Sequence, residues 1–283
     1  MTNKIIALVD GSLYSKSVCE NAAWIASRID APVEVLHVIG RRETANTDLS
    51  GAIGLGARTE LLEELSALDE ERAKLAQRRG RAIVEDAEAI IRAAGITSVT
   101  ARLRNGDLLE AVSEAETGAG LVVIGKRGEA ADFARLHLGS NLERIARAST
   151  WPVYVAARAF RPVSKILIAY DGGQSAMKAV DHAARSPLFA RLDVRLLTVG
   201  AESVEARRAL EGAQATLRAG GHKARADLIP GPPEKVIAET VERDGIDLLL
   251  MGAYGHSRIR SLIIGSTTTE MIRSCKIPVL LFR

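Results

Sequence analysis

Apolar residues occur along the chain in two alternating patterns, short continuous runs and longer stretches with helical spacing. Residues 5–9 are all apolar and the run stops at Asp10, which predicts a strand buried on both faces. Val18, Ala22 and Ile25 then recur every three or four residues, as on the buried face of a helix. The chain therefore opens with a strand followed by an amphipathic helix.

The same alternation continues to about residue 158. The predicted elements that follow are a strand at Val33 to Val38, a helix at Arg81 to Ala94, a strand at Val99 to Leu103, a helix from Asp107, a strand at Leu121 to Ile124, a helix from Ser140 and a strand at Val153 to Val155. Strands that alternate with helices in this way predict an α/β fold with a parallel sheet and helices on both of its faces.

The second half of the chain repeats the first. Lys4–Gly11 resembles Lys165–Gly172, and Leu121–Gly128 resembles Leu248–Gly255 in the same order. We therefore predict two doubly wound, Rossmann-like domains in tandem, at residues 1–158 and 164–283. The residues between them include Pro162, which restricts a short linker.

The first half carries an insertion between its second and third strands. Matched residues are offset by 161 positions at the first strand but by 126 at the last, so the first half is longer by about 35 residues. The insertion spans about residues 39–80. It begins with a glycine-containing loop and continues into a Leu- and Glu-rich stretch at residues 59–79, which predicts a longer helix with a solvated acidic face.

Composition narrows the classes of function. Lys and Arg total 38 against 35 Asp and Glu, and this near balance favours neither a nucleic acid nor an acidic membrane as partner. The two cysteines belong to no metal-binding or disulfide pattern, which suits a reducing cytoplasm. The N-terminal apolar run is too short for a signal peptide or a membrane span. We expect a cytoplasmic protein that takes no metal ion on its own.

Candidate chemistry lies where the strands end, because ligands of open α/β sheets bind at the carboxyl ends of the strands. In the second half, Gly252 and Gly255 follow a strand, and Gly265-Ser266 opens a helix. Glycines allow phosphate oxygens to approach the backbone, and a helix N-terminus offers free N–H groups. The spacing is neither a Walker A loop nor a Rossmann fingerprint.

The spacing G-x2-G-x9-G-S, with an aspartate after the first strand, resembles the ATP-binding pattern of the universal stress protein family. The resemblance covers nearly the whole chain twice and implies the adenine nucleotide alpha hydrolase-like version of the fold. It also implies that Asp171 holds the adenosine end of ATP, that Val199 contacts the adenine, and that Gly252, Gly255, Gly265 and Ser266 hold the phosphates. Met251 and Thr267 are expected to line the same site. Any Mg²⁺ would arrive with the ATP.

The first half departs from this pattern. Its glycines are Gly125, Gly128 and Gly139, with one more residue before Gly139-Ser140 than in the second half. Asp10 and Val38 occupy the positions of Asp171 and Val199. Glu129 and Asp132 in this loop would repel phosphates, whereas Lys126 and Arg127 would attract them. The sequence leaves open whether this half binds nucleotide. It also leaves open that Asp10 and Asp171 are only helix caps.

Two classes of function fit these residues, and a third fits the first half. One is a stress-response protein in which ATP controls conformation or choice of partner. Another is a slow ATPase or nucleotide-transfer enzyme, for which we find no catalytic residues and no second-substrate motif. The third is an interaction scaffold that has lost nucleotide binding. The resemblance further implies that the last strands of the two halves pair within one chain, imitating a dimer, and leaves a homodimer of the tandem chain open.

Overall fold

The computed structural model describes residues 4–40, 58–128, 140–253 and 265–283, except for the side chains of residues 58–62 and 140. Gly139, Gly255 and most of the first part of the insertion lie outside these ranges. Among the described residues, no helix combines the length and hydropathy that crossing a bilayer requires.

Five strands and four helices alternate in the described part of each half. The first half contains β1 (Lys4–Leu8), α1 (Ser15–Ile29), β2 (Val33–Gly40), α2 (Arg58–Ala93), β3 (Val99–Gly106), α3 (Leu108–Ala115), β4 (Ala119–Gly125), α4 (Ser140–Ala148) and β5 (Val153–Ala156). The second half contains β6 (Lys165–Ala169), α5 (Gln174–Arg185), a 3-10 turn (Pro187–Phe189), β7 (Asp193–Val199), α6 (Val204–Ala219), β8 (Arg225–Ile229), α7 (Pro233–Asp244), β9 (Leu248–Gly252), α8 (Ser266–Ser274) and β10 (Val279–Phe282).

The described strands form one ten-stranded sheet in the order β3-β2-β1-β4-β5-β10-β9-β6-β7-β8. All neighbours within a half are parallel, which gives each half the doubly wound order predicted from its pattern. The predicted pairing of the last strands is confirmed, because Val153–Val155 pairs antiparallel with Val279–Leu281. The carboxyl ends of the two sets of parallel strands consequently face opposite edges of the shared sheet.

The core is aliphatic and lies on both faces of the sheet, as the continuous apolar runs predict. Ile5 and Ala7 of β1 belong to one cluster, beneath α1 and α2, whereas Ile6 and Leu8 belong to the other, beneath α3 and α4. The second half repeats this arrangement with α5 and α6 on the first face and α7 and α8 on the second. Each strand end is therefore held rigidly from both sides.

One predicted boundary, the start of the helix before β3, is wrong. The sequence predicts a helix from Arg81 preceded by a separate longer helix within the insertion, but a single helix of 36 residues runs from Arg58 to Ala93. No proline interrupts these residues, and strong helix formers fill most positions up to Gly80. The insertion thus lengthens an existing helix at its N-terminus.

The two halves also contact each other beside the sheet. Within the first half, Tyr154 of β5 is fully buried beside this junction, and its hydroxyl donates to Asn21 Oδ1 of α1 over 2.7 Å. The Arg28 guanidinium, at the end of α1, donates to the carbonyl oxygens of Leu188 and Ala190 in the second half. The Arg28 hydrogen bonds fasten α1 to the 3-10 turn across the junction.

Candidate functional site

In the second half, two hydrogen bonds join the end of β9 to the start of α8. The Thr268 hydroxyl donates to the Gly252 carbonyl over 3.1 Å, and the Gly265 amide donates to the Ala253 carbonyl over 3.2 Å. Gly252 and Gly265, which stand 13 positions apart in the sequence, are therefore brought together at the carboxyl edge of the sheet. Gly255 lies in the part of the loop outside the described residues.

The position of Gly252 has no room for a side chain. An ideal Cβ built on it would lie 2.4 Å from Ser175 Oγ and 3.1 Å from the Ala176 amide nitrogen, both in the first turn of α5. Contacts below 3.0 Å are not tolerated without movement of a neighbour. The backbone of this strand end therefore lies directly against α5, and the sequence motif alone does not reveal this contact.

Helix α8 begins at Ser266, with Gly265 as its N-cap and no side-chain hydrogen bond to the cap. Ser266, the first residue of the helix, is exposed. The N-cap Gly265 thus has no side chain with which to cap the first turn, and the positive end of the helix dipole faces the edge of the sheet.

Asp171 follows β6 at the same edge. Its Oδ1 accepts a hydrogen bond from the Gly173 amide over 2.8 Å, which closes a turn before α5. Gly173 is the N-cap of α5, and Tyr14 is the N-cap of α1, so neither Asp171 nor Asp10 is a helix cap. The carboxylate is therefore fixed in position by the turn.

The other predicted residues of this half have different surroundings. Val199, at the end of β7, is partly exposed and packs on the cluster that also contains Met251. Met251 is itself buried in that cluster. The Thr267 hydroxyl donates to Glu234 Oε1 of α7 over 2.8 Å and lowers the pKa of that carboxyl, after a larger contribution from the Glu234 backbone amide. Thr267 therefore uses its hydroxyl to hold α7 and α8 together.

Thr198 adds a polar atom that the sequence motif does not indicate. Its Oγ1 is buried and has no hydrogen-bond partner within the part of the chain that the structure describes. Thr198 precedes Val199 on β7 and corresponds to His37 on β2, whose Nδ1 lies 2.8 Å from the Val9 carbonyl oxygen. A buried hydroxyl without a partner costs about 1–3 kcal/mol.

The first half also brings its aspartate together with the first two of its glycines. Asp10 Oδ1 accepts from the Ser12 amide over 3.0 Å, and Oδ2 would lie 2.9 Å from a Cβ on Gly128. A Cβ on Gly125 would lie 2.7 Å from the Tyr14 Cβ. Val38, like Val199, packs partly exposed on the second-face cluster. Gly139 and the side chain of Ser140 lie outside the described residues, although Ser140 does begin α4.

Lys126 is the clearest difference between the two sites. The sequence places it in the first glycine loop, where it would attract phosphates, but its ammonium donates to the Cys275 carbonyl at the C-terminus of α8. Burial lowers the pKa of Lys126 to about 8, with the nearby Arg127 acting in the same direction. The second half has Ala253 at this position. The Lys126 charge is therefore directed into the junction between the halves.

Both cysteines are structural. Burial raises the pKa of the Cys19 thiol to about 12, and burial also raises that of Cys275 despite the nearby Lys126. Within the described ranges, no three His, Cys, Asp or Glu side chains are grouped so that they could hold a metal ion.

Comparison with known proteins identifies the family. The model of the Universal stress protein family matches residues 1–157 and 198–283. The chain belongs to the universal stress protein family. Its two matched segments and its repeated fold make it a tandem-type universal stress protein.

Relatives of one-domain and two-domain length both match. The chain is 38% identical over 284 residues to the universal stress protein Slr1230 of Synechocystis sp., covering 99% of each chain. It is 26% identical over 156 residues to the universal stress protein YxiE of Bacillus subtilis, covering 99% of that protein but 55% of this one. A solved universal stress protein from Archaeoglobus fulgidus shares the fold, with a TM-score of 0.75 and 21% identity, and covers 100% of this chain and 99% of its own.

Proposed function

We propose that the chain binds ATP at the carboxyl edge of its second half and that the bound nucleotide controls conformation or choice of partner during stress. The observation that carries this proposal is the junction of β9 and α8, where two hydrogen bonds bring Gly252 and Gly265 together beside a helix N-terminus whose N-cap is a glycine. Asp171 follows the neighbouring strand β6 at the same edge. Together these groups could bind the phosphates and the ribose of a nucleoside triphosphate.

The phosphates would meet the start of α8. Its first-turn N–H groups lack intrahelical partners, and a triphosphate supplies acceptors with the complementary charge. Gly265 and Ser266 present backbone and a small exposed side chain there. Any Mg²⁺ would neutralise phosphate charge and would be held through the nucleotide.

The adenosine end would lie between β6 and β7. The Asp171 carboxylate is held by the Gly173 amide, so it meets a ribose hydroxyl without first losing side-chain freedom. Val199 offers a partly exposed apolar surface for the base.

The first half would bind nucleotide more weakly. Lys126 donates to the Cys275 carbonyl, so phosphate binding would have to proceed without it or break that hydrogen bond. The first loop is also one residue longer before its Gly-Ser pair. We therefore propose a single high-affinity site, in the second half.

Calorimetric titration with Mg-ATP tests this proposal through a matched pair of variants. Asp171→Asn and Asp10→Asn each keep the Oδ1 acceptor that closes the local turn but remove the carboxylate charge. We expect the wild type to bind one nucleotide. Asp171→Asn should weaken binding about tenfold, the size of one charge-assisted hydrogen bond, whereas Asp10→Asn should leave it unchanged.

Each outcome has a distinct meaning. Two equivalent sites would contradict the assignment to the second half alone, and no saturable heat would remove nucleotide binding altogether. Phosphate release measured on the same samples separates a binding protein from a slow ATPase. Steady release that Asp171→Asn abolishes would favour the enzyme.

A further inference from the structure

Helix α2 reaches beyond the sheet. Towards its N-terminus, the helix packs closely on the sheet as far as Gly80. A Cβ at Gly80 would lie 2.7 Å from Leu103 Cδ1 and 3.2 Å from His37 Cδ2, near the ends of β3 and β2. Gln77 Nε2 still donates to Asn105 Oδ1 at the end of β3 over 2.9 Å. Residues 58–76 precede these contacts and, at 1.5 Å per residue, extend about 28 Å past the carboxyl edge. We call residues 58–79 the α2 arm.

The α2 arm buries none of its described side chains. Every residue from Glu63 to Arg79 is exposed or intermediate, and the first buried residue is Gly80. Leu68 and Leu75 are 52% and 53% exposed. They lie seven residues apart and therefore on one side of the helix, with Leu65 one turn before Leu68. A helix is normally stabilised by packing of its apolar face, which the described residues do not provide here.

Charge divides the α2 arm into two parts. The acidic part contains Glu63, Glu64, Asp69, Glu70 and Glu71, and the basic part contains Arg72, Lys74, Arg78, Arg79 and Arg81 just beyond the arm. One pair, Lys74 and Glu70, bridges within the helix over 2.6 Å, with both side chains more than 60% exposed. Exposed pairs of this kind contribute only about 0.3–0.5 kcal/mol, so Glu70 and Lys74 can exchange this pairing for one with another chain at little cost.

We propose that the α2 arm is a self-association surface, on which the arm of a second copy of this chain packs antiparallel. An antiparallel arrangement places the acidic part of one arm against the basic part of the other, whereas a parallel arrangement opposes like charges. The register that brings Leu68 level with Leu75 of the second copy also brings Asp69 level with Lys74 and Glu71 level with Arg72. The apolar stripe and the charges thus select the same arrangement.

Light scattering and sedimentation of the full chain test the association. We expect a concentration-dependent dimer that high salt weakens. Leu68→Gln with Leu75→Gln keeps good helix formers and should weaken the dimer by at least about a hundredfold, since two leucines from each copy lose their burial. Val204→Gln is the matched control, because Val204 is 79% exposed on α6 and should leave the dimer unchanged.

Disulfide trapping tests the orientation. The native cysteines are buried, so chains carrying Leu68→Cys or Leu75→Cys each add one accessible thiol. Antiparallel pairing should cross-link a mixture of the two variants and neither variant alone. Cross-linking of Leu68→Cys with itself would support a parallel pair and overturn the proposal. A monomer at every concentration, or a dimer that the double Gln variant preserves, would also overturn it.

Discussion

At the residue scale, the second-half site depends on a glycine whose constraint comes from packing rather than from its backbone angles. Gly252 lies against the first turn of α5, where a Cβ would approach Ser175 Oγ to 2.4 Å. A neighbour must move to admit even one methyl group. The same contact fixes the distance between β9 and the start of α5, and with it the relation between Gly252 and Asp171.

Gly252→Ala should therefore destabilise the fold by about 1–3 kcal/mol, since it overpacks a closed contact. Urea unfolding measures this change. Gly212→Ala is the matched control, because nothing lies within 4 Å of a Cβ at that position on α6. There the substitution should stabilise by up to about 1 kcal/mol through helix propensity. Equal midpoints for Gly252→Ala and wild type would mean that α5 moves away at little cost.

At the element scale, α8 joins the two candidate sites. Its N-terminus lies at the glycines of the second half, and its C-terminal Cys275 carbonyl accepts a hydrogen bond from Lys126 of the first glycine loop. A cation is favoured at the C-terminus of a helix because it meets the negative end of the helix dipole. Burial opposes this charge and outweighs the attraction, which is why the Lys126 pKa falls to about 8.

The depressed pKa predicts a stability change with a definite sign. The folded protein releases the Lys126 proton near pH 8, whereas the unfolded chain keeps it to about pH 10.4. The unfolded state binds more protons in this window, so the free energy of unfolding of the wild type should rise with pH relative to Lys126→Met. The rise should reach up to about 3 kcal/mol between about pH 8 and pH 10.

Chemical denaturation of both proteins across this range measures the effect. The same comparison in a Cys275→Ala background removes the neighbouring thiol as a source of the signal. A difference between wild type and Lys126→Met that does not change with pH would show that Lys126 titrates as it would in water.

The sequence predicts elements better than it predicts their contacts. Apolar periodicity and the internal repeat predict the strands, their alternation with helices and the β5–β10 pairing, because these depend on local pattern and on family resemblance. The hydrogen bond between Lys126 and Cys275 joins residues 149 positions apart, and no local pattern encodes it. The crowding of Gly252 by Ser175 is equally non-local. From its charge alone, Lys126 is expected to bind phosphate, whereas in the fold it donates to the C-terminus of α8.

At the scale of the whole molecule, the two halves share one sheet and a buried junction. β10 pairs with β9 on one side and with β5 on the other, and Arg28 of α1 donates to the carbonyl oxygens of Leu188 and Ala190 in the second half. Unfolding either half would expose the apolar surface of this junction and break its hydrogen bonds. The halves should therefore unfold together rather than as independent domains.

Matched core substitutions in the two halves test this cooperativity. Leu248→Ala and Leu121→Ala occupy equivalent positions on β9 and β4, are 0% and 4% exposed, and should each cost about 2–5 kcal/mol. Both tryptophans, Trp24 and Trp151, lie in the first half. Leu248→Ala should nevertheless lower the unfolding midpoint followed by tryptophan fluorescence as much as the unfolding midpoint followed by circular dichroism. A fluorescence midpoint that stays at the wild-type value would show independent unfolding.

The position of β10 has a consequence for how the protein is made. It is tenth in chain order among the described strands, yet it lies in the middle of the sheet. A nascent chain that has been synthesised only as far as β5 therefore has one edge of β5 unpaired. The partner of Val153, Tyr154 and Val155 is β10, which is synthesised more than 120 residues later. Unpaired apolar edges recruit other chains. We therefore expect newly made copies of this protein to depend on chaperones until β10 has been synthesised.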